Sequence, residues 1–241
     1  MGNIFKVFFS FSVMILLNSC DVFLVEKNQI EQCNIHLETV YQNTPLNNFE
    51  QTKFKDLLTN RFPKYSQMFE QASEQTAIDS DLLAAISFQE SQWDPKAKSN
   101  MGVRGMMMVT LETAAIVGVE KRLNPEQNIN GGAKYLAMLQ DRNIYGKTTA
   151  DQLSISLAKY NIGPTNIINI AKAIDKAPEE ITWPDIENKL ENITGEDVNL
   201  IDVNGYSRGQ QAIDYVHRVS SYYKLLAAHS CTHPKDQLTF F

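Results

Sequence analysis

From Pro63 to His229 apolar residues recur at helical spacing, and no stretch alternates apolar and polar residues as a half-buried strand would. A chain patterned this way can bury its apolar stripes only by packing helix on helix, so the expected class is all-α around one core. The period predicts helices over Lys64–Thr76, Asp81–Ser91, Leu111–Val117, Ile129–Arg142, Ala150–Tyr160, Pro164–Ala173, Pro184–Glu191 and Ser207–His229. Asp79 or Ser80 can cap the second of these, Asn128 the fourth and Thr182 the seventh, while Pro95, Gly118 and Gly163-Pro164 stop the segments before them.

Composition narrows the partners. The 241 residues fit one domain with extensions, and a net charge of −6 offers no basic field for a phosphate backbone, which excludes nucleic acid as the expected ligand. With 11 Gly, 8 Pro and no internal repeat, the chain is neither low in complexity nor a solenoid.

The first residues read as an address. Val7 to Leu17 is an uncharged, mostly apolar run of eleven behind Lys6, shorter than the roughly 20 residues a membrane span needs. It leads into Leu17-Asn18-Ser19-Cys20, which resembles a bacterial lipobox. That likeness makes residues 1–19 a lipoprotein signal peptide and Cys20 the lipidated first residue of the mature chain, held on the periplasmic face of the envelope. Asp21 after it resembles an inner-membrane retention signal. Residues 20–62 are polar, rich in Asn and Gln and weakly periodic, and are expected to form a tether. A domain at 63–230 and a tail at 231–241 complete the expected organisation.

With Cys20 lipidated, Cys33 and Cys231 remain, and an oxidising periplasm permits a disulfide between them. His36, His217, His229 and His233 have no company at metal-ligand spacing, so no metal site is expected.

In the second predicted helix, at about 100° per residue, Glu90 shares a face with Leu82, Leu83 and Ile86. Desolvation at the end of a buried stripe would raise its pKa, as suits a general acid near neutral pH. A solvated Glu closing an amphipathic helix is the other reading, and this helix alone does not choose. The following segment, Ser99 to Met108, holds two glycines and three successive methionines, which serve either as core filler or as an adaptable apolar wall beside a ligand.

Four ordered blocks decide the matter. Gln89-Glu90-Ser91-x-Trp93-Asp94-Pro95 is followed by Ser99-x-x-Gly102-Val103-Arg104-Gly105-Met106-Met107-Met108-x-Thr110, then by Pro125-Glu126-Gln127-Asn128-Ile129 with Tyr135-Leu136, and finally by Tyr160-Asn161-x-Gly163. Over residues 63 to 229 this pattern resembles the catalytic domain of family 1 lytic murein transglycosylases, most of all the membrane-bound F type. About forty residues ahead of it cannot contain that type's solute-binding-like domain. The resemblance implies a lysozyme-like, all-α fold with a glycan-binding groove, no cofactor, and peptidoglycan strands as substrate. An envelope-complex protein is a further partner it leaves open.

Carried over by position, the resemblance makes Glu90 the catalytic acid and base. It implies substrate contacts for Ser99, Met107, Met108, Tyr160, Asn161, Gln211 and Tyr215. Arg104 either pairs with an acid in the fold or faces the groove, the structural role being the expected one. Lys159, in place of a small residue, is expected to bring a cation near the site, and Gln211 stands where the family has a second Glu. An amide cannot hold charge, which leaves catalysis to Glu90. The implied reaction cleaves the β-1,4 bond between N-acetylmuramic acid and N-acetylglucosamine and forms 1,6-anhydro-N-acetylmuramic acid. A hydrolytic muramidase and an inactive peptidoglycan-binding envelope protein are the alternatives.

Overall fold

The computed structural model describes residues 30–192 and 208–231. The segment expected as a signal peptide, the expected lipidation site Cys20 and the tail beyond Cys231 lie outside the described residues. No strand occurs among those described; the nearest approach is a pair of isolated bridges, Lys98 to Arg104 and Arg104 to Val109. The all-α expectation therefore holds.

In chain order, residues 30–43 form helix α1, followed by α2 (Asn48–Asn60), a 3-10 turn (Phe62–Lys64), α3 (Ser66–Thr76) and α4 (Ser80–Ser91). Then come α5 (Leu111–Val117), α6 (Pro125–Asp141), α7 (Thr149–Ile162), α8 (Pro164–Lys172), a second 3-10 turn (Pro178–Glu180), α9 (Trp183–Glu191) and α10 (Arg208–Ser230). The chain divides into two compact units. The described part of the first consists of residues 30–44 and 227–231, where Cys33 and Cys231 form a disulfide with Cα atoms 5.6 Å apart and Tyr41 Oη meets His229 Nε2 at 2.8 Å.

The second unit, described over 45–192 and 208–226, carries the core. Here α3 packs on α4 and α6, α6 on α7, and α7 on α8 and α9. Helix α4 fills the centre, with Leu83, Ala84, Ala85 and Ile86 wholly buried. Its C-terminus is pinned by Trp93, itself wholly buried with φ +59°, whose indole donates to the Ala84 carbonyl at 2.9 Å. Around that indole gather Phe54, Phe62 and Phe88, with Tyr222 against both Phe54 and Phe88.

The expected tether is corrected by α1 and α2. Asn47 and Glu50 form a reciprocal capping box, and Phe54, its ring stacked on that of Tyr222 at 5.4 Å and edge-on to Phe88 at 5.0 Å, is buried at 0% exposure. One buried phenylalanine contributes about 1.5–3 kcal/mol, enough to hold an otherwise polar helix on the core. The polar composition concealed it because only one face of α2 meets protein and Phe49 on that helix is 73% exposed.

Capping follows the expected chemistry at Asp79 and Thr182. Helix α6 differs: its cap is Asn124, with Pro125 in the first turn, and it starts a turn earlier than the period suggested. Asn128, expected as the cap, is instead a wholly buried residue inside the helix.

Candidate active site

The C-terminal end of α4 places Glu90 beside two tyrosines. Helix α4 ends in a left-handed cap at Gln92, whose carbonyl accepts from the Arg61 guanidinium at 2.9 Å, and the last turn carries Glu90 at a half-buried position. Burial pushes its carboxyl up to about 7, against a smaller opposing pull from the Tyr215 hydroxyl. Tyr215, from α10, is buried at 4% exposure; its hydroxyl meets no partner at ordinary hydrogen-bond geometry, and the group acting on it at short range is the Glu90 carboxyl. Burial and the Glu90 charge both hold the Tyr215 phenol well above its usual range.

Tyr160, near the end of α7, completes the surround. Its hydroxyl donates to the Met107 carbonyl at 2.8 Å, its ring lies 5.5 Å from that of Tyr135, and its phenol is raised by burial and by the Glu90 charge. Glu90 is thus flanked by two phenols that carry no charge at neutral pH. Such a setting holds a carboxyl poised between its acid and base forms near pH 7.

The loop from Ser99 to Val109 is fastened from beneath. Ser87 and Ser91, one turn apart on α4, both donate to the Met106 carbonyl, at 3.1 and 2.8 Å. The buried Asn128 amide receives the Met107 N–H at 2.6 Å and donates to the carbonyls of Arg104 and Arg122 at 2.9 and 2.8 Å. A β-carbon on Gly132 would lie 2.5 Å from the Met107 β-carbon, so this glycine is what lets α6 approach the loop.

The expected site residues separate accordingly. Glu90, Tyr160 and Tyr215 come together. Ser99 stands half-buried in its turn, its hydroxyl accepting from the Val103 N–H at 3.2 Å and keeping its own proton to donate. Asn161 presents a buried side-chain oxygen with no partner among the described residues. Gln211 is exposed on α10, one turn before Tyr215.

Met107 departs from expectation. Its side chain is at 0% exposure against Gly132, so it packs the core and contributes its backbone carbonyl to Tyr160 rather than a wall to a sugar. Met108, half-buried at φ +45°, is the methionine with surface to offer. Lys159 also departs: it is 3% exposed, donates to Asn143 Oδ1 at 2.7 Å and sits 5.5 Å from the Tyr145 ring. The shift at Glu90 arises from burial and Tyr215, with no contribution from this ammonium. Arg104 is exposed, and it is its backbone, through the two bridges, that is structural.

Sequence reasoning missed Ser87, Ser91, Asn128 and Tyr135 as the parts that hold the loop and the tyrosine. The four-residue spacing of the two serines, which puts them on one face of α4, was the available signal.

An all-α domain with a half-buried acid at a helix end, between two tyrosines of which one is anchored on a Met- and Gly-containing loop, defines a class. Residues 67–183 match the family described as Transglycosylase SLT domain. Among its relatives, Membrane-bound lytic murein transglycosylase F 2 of Alkalilimnicola ehrlichii is 38% identical over 171 residues, covering 70% of this chain and 38% of the relative. Membrane-bound lytic murein transglycosylase F of Saccharophagus degradans is 38% identical over 177 residues, covering 72% and 35%. The chain thus spans little more than a third of the length of these curated relatives. The lytic transglycosylase Slt of Pseudomonas aeruginosa overlays with a TM-score of 0.48 at 20% identity, covering 68% of this chain and 24% of that one.

Proposed function

We propose that this chain cleaves the β-1,4 bond between N-acetylmuramic acid and N-acetylglucosamine in peptidoglycan without consuming water, leaving a 1,6-anhydro-N-acetylmuramoyl end. The observation that carries this reading is the Glu90 carboxyl, pushed up to about 7 by burial within an SLT domain. Protonated Glu90 gives its proton to the glycosidic oxygen as the bond to C1 breaks, and the muramoyl acetamido group stabilises C1. The resulting carboxylate takes the proton of the C6 hydroxyl on the same sugar, which closes on C1. One proton leaves Glu90 and one returns, so the residue ends as it began.

Glycosidases with two carboxylates use the second as nucleophile or to activate water. The groups acting on Glu90 here are tyrosines, which supports the substrate-assisted route over hydrolysis. The Tyr215 hydroxyl stabilises the carboxylate after the first step, and Tyr160 closes the other side. An enclosed site gives the C6 hydroxyl an effective concentration that bulk water does not match. Ser99, Met108, Asn161 and Gln211 supply the polar and apolar contacts to the strand.

The reaction belongs at the periplasmic face of the envelope. The segment 1–19 directs export, lipid on Cys20 holds the chain to the membrane, Asp21 favours the inner one, and the helical body starting near residue 30 reaches the wall from there. In the test, murein sacculi are digested with the wild-type chain and with Glu90→Gln. Release of soluble muropeptides by wild type alone is expected; equal release by both would remove Glu90 from its role.

A further inference from the structure

On the opposite face of α6 from Asn128 and Gly132 lies a second recess with no part in the chemistry above. Where the end of α5 meets α6 there is a cavity of about 300 Å³, walled by Val117, Val119, Glu126, Gln127, Asn130 and Lys134. Gly131 lets the 117–119 segment close its floor: a β-carbon there would lie 2.3 Å from a Val119 methyl.

The polar groups of this cavity are ordered by what already occupies them. The Gln127 side-chain oxygen is taken by the N–H groups of Glu120 and Lys121, at 3.2 and 2.9 Å, which leaves its NH2 to donate. The Asn130 side-chain oxygen is buried without a partner among the described residues, so that amide has an acceptor to offer a donor. Lys134 is exposed and enters none of the described ion pairs. The Gln127 amide donor and the Lys134 ammonium, two turns apart on α6, suit a carboxylate. Glu126, exposed one turn before Asn130 and likewise outside the described ion pairs, would repel a simple anion but accept an amine. The valines give an apolar wall for the carbons between.

We propose that this cavity binds the zwitterionic end of a peptide, an amine and a carboxylate on one short carbon skeleton, with Lys134 and the Gln127 amide on the carboxylate and Glu126, beside the Asn130 oxygen, on the amine. Resting on the function proposed above, the occupant is the stem peptide of the glycan substrate, whose diamino acid carries both groups. The site then selects peptide-bearing strands by a contact on the face of α6 remote from the reacting bond.

The test is calorimetric titration of the full chain, held in detergent, with a free murein stem tripeptide ending in diaminopimelate. The same peptide with its free amine acetylated, and acetate alone, are the comparison arms. Binding of the free tripeptide is expected, weakened about tenfold by acetylation and about tenfold by Lys134→Met or Glu126→Gln, the loss of one charge-assisted hydrogen bond in each case. Both side chains are exposed, so these variants keep the fold. No binding of the tripeptide at millimolar concentration, or binding indifferent to both variants, overturns the proposal. Acetate binding as tightly as the tripeptide would make it a plain anion site and overturn it as well. Because the readout needs no turnover, stem binding without anhydro products would reject only the proposed reaction, and products without stem binding only this site.

Discussion

Replacing Glu90 by Gln should make the protein more stable, and only above mildly acidic pH. The wild-type carboxyl is raised from 4.5 to about 7 by burial, so the folded state resists its ionisation. Below pH 4.5 the group is protonated whether folded or unfolded and contributes nothing. As pH rises towards 7, the unfolded chain releases the proton freely while the folded chain retains it, and stability falls. At 1.36 kcal/mol for each tenfold change in acidity, the full penalty is roughly 3 kcal/mol, or about 2–3 kcal/mol once partial solvent contact is allowed for. Gln keeps the shape and has an oxygen for the Tyr215 hydroxyl, but has no charge to desolvate. In urea unfolding at pH 4, 6 and 8 the variant should match wild type at pH 4 and exceed it by about 2–3 kcal/mol at pH 8, a gain of roughly 4–10 °C in melting temperature. A stability difference independent of pH, or a wild type more stable at pH 8, would refute the argument that burial sets the Glu90 pKa.

Tyr215→Phe removes the hydroxyl that opposes this shift, so the alkaline limb of the activity profile, where protonated Glu90 is lost, should move up by about one pH unit in initial-rate measurements. Gly132→Ala drives a β-carbon to within 2.5 Å of the Met107 β-carbon, and chemical denaturation should show a loss of about 2 kcal/mol together with reduced activity as the Tyr160 anchor shifts. Breaking the Cys33–Cys231 link, which closes 198 residues, with Cys33→Ser should cost up to about 5 kcal/mol in the melt, and added reductant should lower wild type towards the variant.

What the sequence displayed and what it concealed divide along physical lines. The helices from α3 to α10 were readable because each buries apolar residues at helical spacing, with capping side chains at Asp79 and Thr182 marking two of the starts. Helix α2 was not, because one phenylalanine and a capping box hold it, and neither alters local polarity enough to register. Glu90, Tyr160 and Tyr215 were legible through the family pattern, yet their convergence is a tertiary fact, made by α4, α7 and α10 meeting. Met107 was misread because burial depends on Gly132, distant in sequence, which lets α6 come close. Lys159 was misread because adjacency to Tyr160 along a helix places a side chain about 100° around the axis, where Asn143 and Tyr145 receive it.

The central claim is that the bond is broken without water, and digestion of purified sacculi in water enriched in ¹⁸O tests it most directly. Mass spectrometry should find the newly formed muramoyl ends one water lighter than hydrolysis products and free of the heavy isotope, made by wild type and not by Glu90→Gln. New reducing ends carrying one ¹⁸O would contradict the account and make the protein a hydrolase.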